Sequence, residues 1–158
     1  MKELSATASA PVDAAPERCT EVLAVVERYP SWDPKLILSA ETLVREGRNP
    51  VRARATVRVT LGPIAHDLEL VLAVAVEAGR RVTLTRLADH ASDAERFELA
   101  WRIQAGPRTM LHVDLSAYLD VPRLMPVGKL GGSLAQGLVV AASRALDGSS
   151  PNASARSS

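Results

Sequence analysis

Between residues 36 and 119 the chain alternates between apolar and polar residues in six segments, and this pattern constrains the fold most. In residues 51–61, valines, alanines and a leucine occupy the odd positions, and arginines and threonines occupy the even positions. A period of two is typical of a strand in a sheet with one apolar face and one face in water. Short turns containing glycine or proline separate most of these segments, so consecutive strands are expected to pair antiparallel.

The apolar face of such a sheet needs a cover, and residues 122–147 provide one. Their leucines, valines and alanines recur at steps of three and four, which predicts a long amphipathic helix. Upstream, residues 3–10 read as a first strand and Pro16 suits the first turn of a short helix. The two prolines in residues 29–34 then allow only a short second helix or a turn.

This order predicts an α+β fold. We expect a curved seven-stranded antiparallel sheet around a long C-terminal helix, with two short helices after the first strand and a ligand-sized cavity between sheet and helix. A chain of 158 residues suits a single domain, here residues 1–147. Residues 148–158 have no apolar pattern and are expected to be a disordered tail.

Composition excludes several classes of function. A net charge of +1 gives no field to attract nucleic acid, and no apolar run is long enough for stable membrane insertion. The N-terminus lacks a hydrophobic signal core, and one cysteine cannot form an internal disulfide, so we expect a cytoplasmic protein of bacterial type. The histidines lack metal-ligand spacing and there is no phosphate-binding glycine loop, so neither a metal nor a cofactor is predicted.

Three short stretches resemble a known group of proteins: Ala10-Pro11 through Pro16-Glu17, then Val22-Leu23, then Glu27 through Trp32, which ends in Tyr-Pro-Ser-Trp. Together with the order of elements over residues 3–147, they resemble the START-like (SRPBCC) superfamily, in its polyketide cyclase/dehydrase branch. The resemblance implies a helix-grip fold with an internal hydrophobic cavity, and it implies no fixed catalytic set. It also implies that Trp32 lies near the cavity mouth; the alternative is that Trp32 fills the core between helix and sheet.

The alternation and the helical spacing together predict the wall of the cavity. The expected ligand-binding residues, besides Trp32, are Leu68, Leu70, Leu84, Phe97, Trp101, Val113, Leu115, Leu134 and Leu138.

Two polar residues fall in phase with this apolar face. Arg86 follows Val82 and Leu84, and an arginine there needs a carboxylate, carbonyl groups or a ligand oxygen as its partner. It either polarises a substrate carbonyl or reaches solvent from the strand end. His66 is in phase with Leu68 and is either an acid–base group of the pocket or a residue of the sheet rim.

The expected function is the binding or transport of a hydrophobic small molecule, such as a lipid, a quinone or a polyketide-like compound. One alternative is a polyketide aromatase/cyclase, which needs several polar groups that converge on the cavity. Another is a protein-interaction module, such as a toxin–antitoxin component, that uses the outer face of the sheet. The glycines of the last helix are also open to different interpretations. Gly131 and Gly132 either leave room for a ligand or let the helix break and open; alternatively, the regular helix starts only near Ser133.

Overall fold

A computed structural model describes residues 2–47, 49–61, 63–120 and 127–148. These residues form seven strands: β1 (Lys2–Val12), β2 (Ile37–Glu46), β3 (Asn49–Leu61), β4 (Ile64–Glu77), β5 (Arg81–Arg86), β6 (Arg96–Gln104) and β7 (Thr109–Leu119). They also form three α-helices: α1 (Pro16–Ala24), α2 (Tyr29–Trp32) and α3 (Val127–Gly148). A single 3₁₀ turn, Val26–Arg28, joins α1 to α2. The predicted tail lies outside the described residues, except that Gly148 still belongs to α3.

The strands form one antiparallel sheet in the order β1-β7-β6-β5-β4-β3-β2. Strands β2 to β7 follow one another as a meander, and β1 closes the sheet by pairing with β7. The sheet curves around α3 and the short helices lie after β1, so the predicted helix-grip α+β fold is confirmed.

Strand β3 shows why the two faces of the sheet differ. Its small apolar residues point inward, and Ala53, Ala55 and Val59 are almost completely buried. Its arginines point outward, and Arg54 and Arg58 pair with acidic residues of the neighbouring strands. For example, the Nε atom of Arg58 lies 2.7 Å from a carboxylate oxygen of Asp67. Such exposed pairs contribute little to stability, but they keep the outer face solvated.

Helix α3 packs across β1, and Gly131 makes this contact possible. A Cβ atom at Gly131 would lie 3.1 Å from the Cγ atom of Leu4 and 3.3 Å from the backbone oxygen of Ser5. The helix already begins at Val127, so a start near Ser133 is wrong. The expectation that Gly131 leaves room for a ligand is also wrong, because strand β1 occupies that space.

A buried hydrogen-bonded chain attaches the short helices to the sheet. The indole Nε1–H of Trp101 on β6 donates to the hydroxyl oxygen of Tyr29 on α2 at 3.1 Å. The hydroxyl of Tyr29 in turn donates to the backbone oxygen of Leu23 at the end of α1. Because both rings are nearly inaccessible to water, this chain fixes how α1 and α2 close one end of the curved sheet.

Candidate functional site

The space between the sheet and α3 contains a narrow apolar cavity of about 50 Å³. The surface that its walls present to the cavity is entirely apolar. The walls come from the short helices, from every strand of the meander and from α3. They consist of Val26, Tyr29, Leu36, Ile37, Ala55, Val57, Leu70, Leu72, Leu84, Phe97, Leu99, Leu115, Leu134 and Leu138.

A second apolar cavity, of about 30 Å³, lies beside the first, toward the N-terminal end of α3. Leu4 of β1, Leu119 of β7 and Leu130 of α3 line it but do not line the larger cavity. Val57, Phe97 and Leu134 line both cavities. Both cavities are much smaller than typical ligand sites, which measure about 300–1,000 Å³.

The structure brings most of the predicted wall residues together. Six of them line the larger cavity: Leu70, Leu84, Phe97, Leu115, Leu134 and Leu138. Leu68 lines only the smaller cavity. Trp101 and Val113 are fully buried on the predicted face but line neither cavity. Alternation assigns a residue to a face of the sheet, but it does not show whether the side chain meets a cavity or another side chain.

Sequence reasoning missed two groups of lining residues. The first group follows the same alternation as the predicted wall, so the pattern already contained it: Ala55, Val57, Leu72 and Leu99. The second group lies on the short helices and at the start of β2, where no periodic signal exists: Val26, Tyr29, Leu36 and Ile37.

Trp32 is half-buried and stacks on Tyr29, with the ring centroids 4.4 Å apart. Trp32 also lines an external groove of about 670 Å³, which runs between residues 32–35 and the face of α3 that contains Gly132 and Gly137. Tyr29 therefore separates Trp32 from the cavity, and Trp32 itself lies outside the cavity wall.

Arg86 finds both a carboxylate and a backbone carbonyl as partners within the protein. Its guanidinium donates to a carboxylate oxygen of Asp93 at 2.7 Å and to the backbone oxygen of Glu95 at 2.9 Å. The side chains of Arg86 and Asp93 are each 8% exposed, so the pair is shielded from water. The hydrogen bond lowers the pKa of Asp93 well below its ordinary value and raises the pKa of Arg86. The guanidinium thus holds the β5–β6 loop and lines neither cavity.

The other candidate groups also lie away from the cavities. His66 is half-buried opposite Val59 in the register of β3 and β4, and it lines neither cavity. Cys19 is fully buried on α1, and burial raises the pKa of its thiol to about 11. No three His, Cys, Asp or Glu side chains group as a metal site requires, within the part of the chain that the structure describes.

Comparison with solved structures identifies the architecture. A START superfamily protein from Mycobacterium smegmatis superposes with a TM-score of 0.68 and 26% sequence identity, over 92% of this chain and 97% of that chain. The chain has the START-like helix-grip fold. A protein from Thermus thermophilus matches with a TM-score of 0.67 and 21% identity, over 94% of this chain and 100% of that one.

A more distant structure, the di-domain ARO/CYC StfQ from the steffimycin biosynthetic pathway, matches with a TM-score of 0.58 and 14% identity. The match covers 92% of this chain but only 51% of StfQ. At this identity the likeness shows a shared fold alone. No protein-family model and no curated protein matches the sequence. Among the described helices, none is both long and apolar enough to cross a membrane.

Proposed function

We propose that this protein binds an apolar small molecule, such as a lipid, a quinone or a polyketide-like compound, between the sheet and α3. The observation that carries the proposal is the wholly apolar surface of the larger cavity. An apolar ligand gains about 25 cal/mol of binding free energy for each Å² of its surface that leaves water. Apolar surface makes no hydrogen bonds to water, so it loses none when it enters a cavity with apolar walls. A cytoplasmic location is part of the proposal, and the buried Cys19 thiol suits a reducing compartment.

The size of the cavity adds a condition to this proposal. At about 50 Å³ the space is too small for a molecule of these classes, so the walls must separate as a ligand enters. Entry of a ligand adds volume, so α3 and the sheet must move apart in this region. The contacts that the ligand makes with the separated walls then replace the contacts that the walls made with each other.

The aromatase/cyclase alternative has less support. Chemistry on a poly-β-ketone chain requires donors or acid–base groups aimed at the reacting atoms. Among the described residues that line the larger cavity, Tyr29 alone has a polar side chain, and its hydroxyl already bonds to Leu23 and Trp101. Burial also raises the pKa of Tyr29 above its ordinary value, so it is a poor proton donor to a substrate.

Two measurements test the proposal. The first is native mass spectrometry of protein purified without denaturant, followed by solvent extraction; we expect an apolar compound that leaves on denaturation. The second is fluorescence titration with the neutral apolar dye N-phenyl-1-naphthylamine. Here Ala55→Leu, which fills the larger cavity from β3, should abolish dye uptake. Ala75→Leu, on the exposed face of β4, is the matched control and should bind dye like the original protein.

Either of two results would contradict the proposal. One is the absence of both a co-purified compound and saturable dye binding. The other is equal dye binding by Ala55→Leu and Ala75→Leu, which would place the dye somewhere other than the cavity.

A further inference from the structure

The two cavities are separated by three side chains that come from different parts of the fold. Val57 of β3, Phe97 of β6 and Leu134 of α3 line both spaces, and we call these three side chains the partition. On one side of the partition lies the larger cavity, against Leu138 and the short helices. On the other side lies the smaller cavity, against Leu130 and the ends of β1 and β7.

The three partition side chains keep more accessible surface than most of the wall around them. They are only partly buried, whereas neighbouring lining residues such as Leu70 and Leu84 are each 2% exposed. A side chain with fewer packing contacts loses less dispersion energy when it moves. The partition is therefore a place where the wall can move at low cost.

The positions of Phe97 and Leu134 place both side chains between the two cavities. Phe97 lies opposite Ala117 in the register of β6 and β7, so its cross-strand neighbour on that side is small. Along α3, Leu134 has Leu130 one turn before it and Leu138 one turn after it, and these three leucines share one face of the helix. Leu130 lines only the smaller cavity and Leu138 only the larger, so Leu134 stands at the boundary between the two.

We propose that the partition opens when a ligand binds, and that the two cavities then form one elongated site selective for ligands with a long, unbranched apolar chain. This inference rests on the proposed function and adds the shape of the ligand to it. A short apolar molecule fills the larger cavity and leaves the partition closed. A long chain displaces Phe97 and Leu134 and extends into the smaller cavity, toward Leu130.

The inference makes a prediction about chain length. Each methylene group that is transferred from water into an apolar site raises affinity about fourfold. In the original protein this gain should stop once the larger cavity is full, because further extension requires the partition to move. Truncation of the partition should remove that limit, and truncation elsewhere in the wall should leave it in place.

Butanol, octanol and dodecanol serve as the probes, and calorimetry or dye displacement gives their affinities. Leu134→Ala truncates the partition, and Leu138→Ala is the matched control, because it makes the same change one turn later and lines the larger cavity alone. We expect Leu134→Ala to bind dodecanol about tenfold or more tightly than the original protein, with butanol changed less than about twofold. Leu138→Ala should change both affinities by a similar factor.

Methyl NMR of the unsubstituted protein provides a test that does not depend on how well a variant folds. Dodecanol should give contacts from its alkyl chain to the methyl groups of both Leu138 and Leu130. Butanol should give contacts to Leu138 alone, since Leu130 lines only the smaller cavity.

The outcomes separate this inference from the proposed function. If dodecanol contacts Leu138 but not Leu130, or if the two variants respond alike to chain length, the partition does not control selectivity and the proposed function stands. If no alcohol binds saturably to the original protein or to either variant, the inference about the partition is refuted. If, in addition, no apolar compound co-purifies and the dye does not bind, the proposed function is refuted as well.

Discussion

Replacement of Tyr29 by phenylalanine tests how the short helices are held on the sheet. The change removes one oxygen atom that accepts a hydrogen bond from Trp101 and donates one to the backbone oxygen of Leu23. Tyr29 is 4% exposed and Trp101 is 0% exposed, so water cannot replace the lost partner. A buried polar group without a partner costs about 1–3 kcal/mol, and two such groups remain, so we expect a loss of about 2–6 kcal/mol in the free energy of unfolding.

Tyr118→Phe is the matched control for this experiment. Tyr118 is half-buried on the outer face of β7. The Cζ atom of Arg96 lies 5.9 Å from the centroid of its ring, and this contact does not need the hydroxyl. Its removal should change stability by less than about 0.5 kcal/mol. Urea unfolding followed by circular dichroism gives both values, provided that the slope of the transition is unchanged. Equal effects of the two substitutions would refute the structural role that we assign to the Tyr29 hydroxyl.

Three further predictions concern glycine, cysteine and arginine. Gly137→Ala should stabilise α3 by about 0.5–1 kcal/mol, because a Cβ atom there meets nothing within 4 Å. Gly131→Ala crowds β1, so it should unfold at a lower temperature than Gly137→Ala. Burial raises the pKa of Cys19 to about 11, so the free energy of unfolding should fall as the pH rises above the ordinary thiol pKa of about 8.5. For the same reason, a thiol reagent at pH 8 should react with Cys19 only as fast as the protein unfolds. Arg86→Met should lower the urea midpoint more than Arg102→Met does, since the latter breaks a surface pair; equal midpoints at neutral pH would contradict this. The difference should shrink progressively as the pH falls below the ordinary aspartate pKa of about 4, because Asp93 then gains a proton in the unfolded chain while the pair with Arg86 holds its pKa lower in the folded protein.

The alternation in the sequence was sufficient to predict the sheet, because the apolar face of every strand has to be buried away from water. A shift of one residue in β3 would expose Ala53, Ala55 and Val59 and bury arginines, so the apolar pattern allows only one inward face. The same reasoning located Arg86 on the inner face and showed that it needed a buried acceptor. It did not identify Asp93, because that residue lies in the β5–β6 loop, where no periodicity relates sequence to position.

The cavity was harder to predict than the face that lines it. Phe97 and Trp101 lie an even number of positions apart on β6, so both side chains point to the inner face, yet of the two only Phe97 lines the cavities. The difference arises from Tyr29, which belongs to a helix of four residues and bonds to the indole of Trp101. Contacts between elements distant in sequence decide which buried side chains meet a cavity, and a single sequence contains no local signal for them.

The buried polar side chains of the described residues hold the fold together. Within the described part of the chain, no buried side-chain nitrogen or oxygen is without a hydrogen-bond partner. Each such partner is structural: Tyr29 joins α2 to α1, Arg86 holds the β5–β6 loop, and the hydroxyl of Thr20 accepts a hydrogen bond from the backbone of Gly79 at 3.0 Å. Among the described residues that line the larger cavity, Tyr29 alone has a polar side chain, and its hydroxyl is already bonded to Leu23 and Trp101. In the function that we propose, the shape of an apolar ligand is therefore what this interior distinguishes, and the positions of Phe97 and Leu134 determine which shapes it admits.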